Sequence, residues 1–235
     1  MPIHSVRRSQ NHLAWNKSYN SYSLIIRPVV YAQSGDTIAL DCLDCVPVHI
    51  EDALPGDTLW VDVLEIETGI KLPLRPFPGE MGVAAGKEGA FWTSPPYNTG
   101  GNLDTKYLHA GSTLYLPIEA EGALFLIGVR HTPIHVKARL AICKDKPYTK
   151  TPHYTTTEAV SREDYYCTTG IDSDIKTATR AAVRYMIDYL FAEHQLGGTE
   201  AYMLCGIAED LKLHEEVRRN VYLLHALTLT QRCLG

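Results

Sequence analysis

The chain has 235 residues, 45% hydrophobic and 21% charged, with a formal net charge of −5. That length allows one large domain or two small ones, and that composition builds an ordinary packed core. The acidity excludes the basic face that nucleic acid demands, no apolar run approaches a membrane span, and Met1–Asn16 carries Arg7 and Arg8 without the apolar stretch of a secretory signal.

Short strand-like runs dominate the first half. Leu24–Tyr31 is rich in Ile and Val and ends before the turn Ser34-Gly35-Asp36. Thr37–Cys42 and Val46–Ile50 follow, and Pro55-Gly56-Asp57 marks the next turn. In Thr58–Glu67, Leu59, Val61, Val63 and Ile66 are broken up by Asp62 and Glu65, the pattern of a half-buried strand. Residues 70–90 are full of Pro and Gly and predict a long loop over the sheet. Then comes Asn98-Thr99-Gly100-Gly101-Asn102-Leu103-Asp104. Paired glycines let the backbone turn with positive φ and approach a ligand closely. Asn102 and Asp104, two apart in an extended segment, point the same way. A plain turn bearing a solvated acid is the other reading of the same residues. Two apolar runs behind this loop, Thr113–Ile118 and Ala123–Ile127, read as a β-hairpin.

The character then changes. Residues 144–162 are rich in Lys, Thr and Pro, lack core periodicity, and predict a poorly packed loop. Asp172 or Ser173 can cap a helix whose apolar stripe is Ala178, Ala182, Val183, Met186, Ile187, Leu190 and Phe191. Gly197-Gly198 ends it, and Thr199 caps a second helix with Ala201, Leu204, Cys205 and Ala208 inward. The expected fold class is therefore β-rich α+β: an antiparallel β-sandwich or barrel-like core with a C-terminal helical hairpin. The expected division is a core over residues 1–143, an irregular loop over 144–165, and the hairpin over 166–235.

Six cysteines in a chain this long do not make a disulfide scaffold; they predict reduced thiols and a cytoplasmic setting. Cys42-Leu43-Asp44-Cys45 is one CxxC with no second pair at ribbon spacing, so plain thiols are the simpler reading. Cys167 has no Lys or His beside it in sequence to lower its pKa and reads as a packed thiol rather than a nucleophile.

The run Gly-Gly-Asn-Leu-Asp at 100–104, then Ala-Gly-Ser-Thr-Leu-Tyr-Leu-Pro at 110–117, then Gly-Ala-Leu-Phe at 122–125, resembles the acetamidase/formamidase family. So do His12-Leu13-Ala14-Trp15-Asn16, Ser34-Gly35-Asp36-Thr37, Ala53-Leu54-Pro55-Gly56-Asp57-Thr58-Leu59, Pro76-Phe77-Pro78-Gly79-Glu80-Met81-Gly82-Val83 and Tyr166-Cys167-Thr168-Thr169-Gly170-Ile171-Asp172. These matches follow the family's order over nearly the whole chain. The resemblance implies hydrolysis of a short aliphatic amide, of the formamide or acetamide class, to carboxylate and ammonia. It implies Asp104 and His131 as catalytic groups, and Asn102 and Gly101 at the substrate. It also implies a divalent metal, zinc or calcium, on His12, Asp104 and His131. The expected assembly is a homodimer or higher homo-oligomer whose partner is a small-molecule amide, with neither nucleic acid nor membrane. An inactive family member that binds a small molecule or a partner subunit is the alternative.

The chain departs from the family after Gly128. The family's Asp-x-His-Ala and Gly-Asp-Gly-Glu steps are replaced by Val129-Arg130-His131-Thr132-Pro133-Ile134-His135-Val136-Lys137-Ala138-Arg139. A base or metal ligand is thus missing where the chemistry most needs one. His131 and His135 share a face of a strand, but Pro133 forbids an ordinary helix, and two histidines need further ligands to hold a metal. A shifted reading frame is one explanation of the departure; a genuinely divergent member that does without the acid pair is the other. Codons begun on the third base from His131 onward can spell His-Ala-Tyr-Ser-Arg-Glu-Gly-Glu. On that reading, residues 129–141 pack badly, with Arg130, Lys137 and Arg139 where a site strand belongs. Sequencing the coding DNA tests it.

Overall fold

The computed structural model describes residues 3–6, 21–22, 28–42, 46–68, 76–92, 95–128, 134–157, 164–216 and 223–230. Among them, strands form a nine-stranded sheet in the order β1 (Ile3–Val6), β4 (Thr37–Cys42), β13 (Ile134–Cys143), β6 (Thr58–Thr68), β11 (Thr113–Pro117), β14 (His153–Thr157), β15 (Asp164–Asp172), β17 (Leu223–Thr230), β16 (Glu209–Glu216). A six-stranded sheet runs β3 (Val30–Ala32), β5 (Val46–Ile50), β12 (Phe125–Gly128), β7 (Glu80–Gly82), β10 (Gly100–Asn102), β9 (Pro96–Tyr97). A ribbon pairs β2 (Ser21–Tyr22) with β8 (Phe91–Trp92). All pairings are antiparallel except β1 with β4 and β3 with β5.

The main core lies between the two large sheets. Alternation in β6 puts Leu59, Val61 and Val63 at zero exposure, as the sequence pattern requires. Leu114 and Leu116 of β11 join them, facing Val48, Met81, Phe125 and Ile127 of the smaller sheet. A second apolar layer lies on the other face of the large sheet. There Tyr115 and Tyr166 meet Ala182, Met186, Tyr189 and Leu190 of helix α1 (Ile175–His194) and Ala201 and Cys205 of helix α2 (Gly198–Ala208). Three layers result: small sheet, large sheet, helical hairpin. The β-rich α+β class with a C-terminal helical hairpin is borne out, as a sandwich rather than a barrel.

Helix α1 begins one residue later than the sequence predicts. Asp174 is the N-cap, its carboxylate accepting from Thr177 N at 2.8 Å. Phe191, expected inward, is 65% exposed. Helix α2 starts on Gly197, whose N–H donates to the Glu200 carboxylate at 2.9 Å, rather than on Thr199.

Several expectations are corrected. Thr113–Ile118 and Ala123–Ile127 do not form a hairpin: β11 pairs with β6 and β14, while β12 pairs with β5 and β7 in the other sheet. The connection carries the chain across the sandwich. Residues 144–157, the described part of the loop predicted over 144–162, are not poorly packed either. They contain β14, and Tyr148, Tyr154 and His153 are buried. Here hydroxyls take the place of apolar periodicity: Thr151 donates to Thr169 O and Thr169 to Pro152 O, both at 2.7 Å. Beyond α2 the described residues, 209–216 and 223–230, are not helical but add β16 and β17 to the large sheet.

The most consequential correction concerns β13. The described part of the segment expected to pack badly, residues 134–141, buries Ile134, Val136, Ala138 and Leu140 in the main core, while residues 129–133, Arg130 among them, lie outside the described residues. Arg139 lies on the opposite face and pairs with the Asp62 carboxylate, which also accepts from Trp60 Nε1 at 2.6 Å and from Thr113. Burial pushes Asp62 up, but these three donors outweigh it and hold its carboxyl below the usual range. Packing therefore gives the shifted-frame reading no support.

One half-buried acid carries a pH prediction. Glu209, at the junction of α2 and β16, is pushed up by burial to about 7 from its ordinary 4.5, against a hydrogen bond from Cys205 that lowers it. The native state then holds this proton more tightly than the unfolded chain. Its stabilising effect is full below about pH 4.5 and is lost as pH rises toward 7. Glu209→Gln flattens that decline, raising stability at pH 8 by on the order of 1–3 kcal/mol relative to the parent. Urea melts of both proteins at pH 5 and pH 8 measure it; parallel pH dependences would show that another group is responsible.

Candidate active site

Two glycines let β10 lie close to its neighbours. Gly100 and Gly101 have φ of 99° and 120°. A Cβ on Gly100 would strike the Met81 carbonyl and Gly82 Cα, and one on Gly101 would come within 2.9 Å of the Pro95 carbonyl. The close approach expected of the pair is made to β7 and to the segment entering β9. Gly101 is thus part of the frame behind the site.

The approach fixes a register. Asn102 lies directly opposite Glu80 of β7, and Glu80 on its other side lies opposite Gly128 of β12. Directly opposed residues carry Cβ atoms about 4.5–5.5 Å apart on one face. Since the neighbouring Met81 belongs to the main core, alternation turns Glu80 to the outer face of the small sheet. Gly128 contributes no side chain there. Leu126, packed by Phe91 and Tyr97, walls the same region. Glu80 is 3% exposed and Asn102 7%.

Asp104 follows immediately. Leu103 N and Asp104 N both donate to the Gly79 carbonyl, at 2.9 and 3.0 Å. The Asp104 carboxylate packs onto Gly79 Cα where a side chain would otherwise stand. Its backbone is left-handed, φ 38°, a conformation aspartate tolerates better than most residues. Asp104 is exposed while Asn102 is buried. Strand alternation does not continue from one to the other, because the strand ends at Asn102 and the chain turns at Asp104. What joins them is Gly79-Glu80, which touches both.

His12 and His131 lie outside the described residues, as do residues 43–45 of the CxxC. His135 is in β13, opposite Asp41 and Glu67, in the other sheet from Glu80. Among the described residues no group of three or more His, Cys, Asp or Glu side chains could hold a metal ion. Cys167 is a buried thiol at 1% exposure, as expected.

Sequence reasoning missed Glu80. The signal was present, since Gly79-Glu80 stands inside the Pro76–Val83 motif, but nothing local distinguishes that acid from a solvated loop carboxylate. Its burial and its register with Asn102 are properties of the assembled sheet.

The comparisons with known proteins come to the same point. Residues 74–133 match the model of the Acetamidase/Formamidase family. That stretch holds Glu80, Asn102, Asp104 and Gly128, and it ends where the chain departs from the family's sequence pattern. A predicted acetamidase/formamidase from Thermoanaerobacter tengcongensis has the same fold, with a TM-score of 0.84 at 20% identity, covering 99% of this chain and 97% of that one. An acetamidase from Bacillus halodurans gives 0.80 at 21% identity, with both chains covered completely. An acetamidase from Yersinia enterocolitica gives 0.84 at 16% identity, covering 100% of this chain and 93% of that one. No curated protein matches. The resemblance read from the motifs is borne out.

Proposed function

We infer that this chain is an amide hydrolase of the acetamidase/formamidase type, cleaving a short aliphatic amide to carboxylate and ammonia. The observation that carries this reading is the register that sets buried Glu80 between Asn102 and Gly128, with Asp104 packed on Gly79. Glu80, inside the Pro76–Val83 motif, is a buried carboxylate that this chain keeps although it lacks the acids of the family's later motif.

The roles follow from position. Asn102 donates its amide N–H to the substrate carbonyl oxygen, orienting the amide and stabilising the oxyanion. Glu80 takes a proton from water as its oxygen attacks the carbonyl carbon. The same proton passes to the leaving nitrogen, the C–N bond breaks, and ammonia departs. Asp104, at the exposed mouth, orients the attacking water, with His131 as its proposed companion.

The family resemblance brings with it a divalent metal, zinc or calcium, on Asp104 with His12 and His131. The described residues do not by themselves make up that site, and no step above is routed through it. When bound, such an ion supplies Lewis-acid polarisation of the carbonyl. Elemental analysis of the parent and of Asp104→Asn tests the assignment: stoichiometric metal in the parent and loss in the variant support it.

Ammonia release from formamide and acetamide by the full chain, with and without added zinc or calcium, tests the reaction. No turnover under any of these conditions sinks it and favours the inactive, ligand-binding alternative. Asp104→Asn is expected to lower turnover by about 100-fold or more. Asparagine also tolerates the left-handed backbone, so the melting temperature stays within a few degrees. A large loss of stability with activity retained in the folded fraction would make Asp104 structural instead.

Among the described residues no helix is long and apolar enough to cross a membrane. A cytoplasmic homodimer or higher homo-oligomer remains the proposal for the assembly. Tyr202, Met203 and Ile207 of α2, at 64%, 61% and 82% exposure, support self-association. Sedimentation equilibrium decides it.

A further inference from the structure

We propose that His214 is a positioning residue that holds Asp104 in its working conformation from the far edge of the large sheet; this rests on the amide-hydrolase reading above. Asp104 stands between two anchors. On one side, the Gly79 carbonyl accepts from both Leu103 N and Asp104 N. On the other, Thr105 is 1% exposed and its Oγ1 lies 3.1 Å from His214 Nδ1. The two residues are 109 positions apart in the chain, so only the fold brings them together.

His214 is itself held on several sides. Its ring meets Tyr107 edge to face, with centroids 5.6 Å apart and planes at 88°. Its Nε2 lies 3.4 Å from the hydroxyl of Tyr154, which is 1% exposed. Lys212, two residues earlier on β16, places Nζ 5.0 Å from the Tyr107 ring centre. The edge strand therefore grips the loop at both Thr105 and Tyr107. Asp104 itself has φ 38°, a left-handed state that aspartate tolerates but that still carries a cost, so its anchors decide how firmly it is held there. With one anchor gone, the residue can relax and carry its carboxylate away from Gly79 and Glu80. His214 is not assigned to any reacting atom. Its effect runs through Thr105 to the backbone of Asp104.

The test uses three variants of the full chain. His214→Phe keeps a ring against Tyr107 and removes the hydrogen bond to Thr105. Thr105→Val removes the same bond from the other end, and serves where His214→Phe fails to fold. His214→Asn keeps a polar group at the place of Nδ1. Two readouts are taken: amide hydrogen exchange at Leu103 and Asp104, and kcat and KM for formamide. Loss of the bond is expected to speed exchange about tenfold and to lower kcat about tenfold with KM within about twofold. His214→Asn is expected to recover most of both. Exchange at the parent rate in His214→Phe and Thr105→Val overturns the proposal, as does a His214→Asn variant as impaired as His214→Phe. If the parent itself hydrolyses no amide, the amide-hydrolase reading fails, while the exchange comparison still decides whether His214 positions the loop.

Discussion

Glu80→Gln is expected to lower amide hydrolysis by about 10²–10⁴-fold, the range general-base catalysis ordinarily supplies. Glutamine has nearly the same size and shape, so the β7 register with Asn102 and Gly128 survives. It cannot take a proton from water. Glutamine also keeps a polar end of the same shape at this buried position, 3% exposed, so the melting temperature is expected to stay within a few degrees. Steady-state ammonia release and a thermal melt on the same preparation check both halves. Activity within about tenfold of the parent, together with a fall in stability, would show that Glu80 serves the sheet rather than the reaction.

The largest stability loss is expected at Gly170. This glycine of β15 lies under helix α1, and a Cβ there would run into the Ala178 carbonyl oxygen and come within 2.8 Å of Ala182 N. The obstruction is helix backbone, not the movable end of a side chain. Gly170→Ala must lift the helix from the sheet and loosen the layer formed by Tyr115, Tyr166, Met186 and Tyr189. Overpacking of this kind costs about 1–3 kcal/mol, and more where backbone must move. For a chain of this size that lowers the melting temperature by roughly 5–10 °C. Gly198→Ala, where nothing lies within 4 Å of the added atom, is the control and is expected to be neutral or slightly stabilising. Equal melting temperatures for the parent and Gly170→Ala would mean that the helix is not seated as described.

The two predictions concern residues of the same legibility. Gly170 belongs to a motif recognisable in the sequence, yet the reason for a glycine there is a helix that follows it. Glu80 is likewise inside a quoted motif, and what singles it out is burial opposite Asn102. Asp104 and Asn102 were legible as a pair, but for a different reason from the one that joins them: Gly79-Glu80 bridges them. His12 and His131 lie outside the described residues and stay as the resemblance implies them.

The sequence by itself determined whatever depends on local period and local caps. The alternation Leu59, Val61, Val63 made β6 one face of a core, and the stripe from Ala178 to Leu190 made α1 amphipathic. Paired glycines before Asn102 meant positive φ and a close approach wherever the chain went next. Only the tertiary structure decided which strands meet. It separated β11 and β12 into different sheets, seated β14 through threonine hydroxyls bonded to backbone carbonyls, and added β16 and β17 beyond the helices. It also gave Glu80 its partners and Thr105 its histidine. The physical reason is the same in each case. A side chain's period and a helix cap are set within a few residues, whereas strand register and the burial of a polar group depend on surfaces supplied by distant parts of the chain.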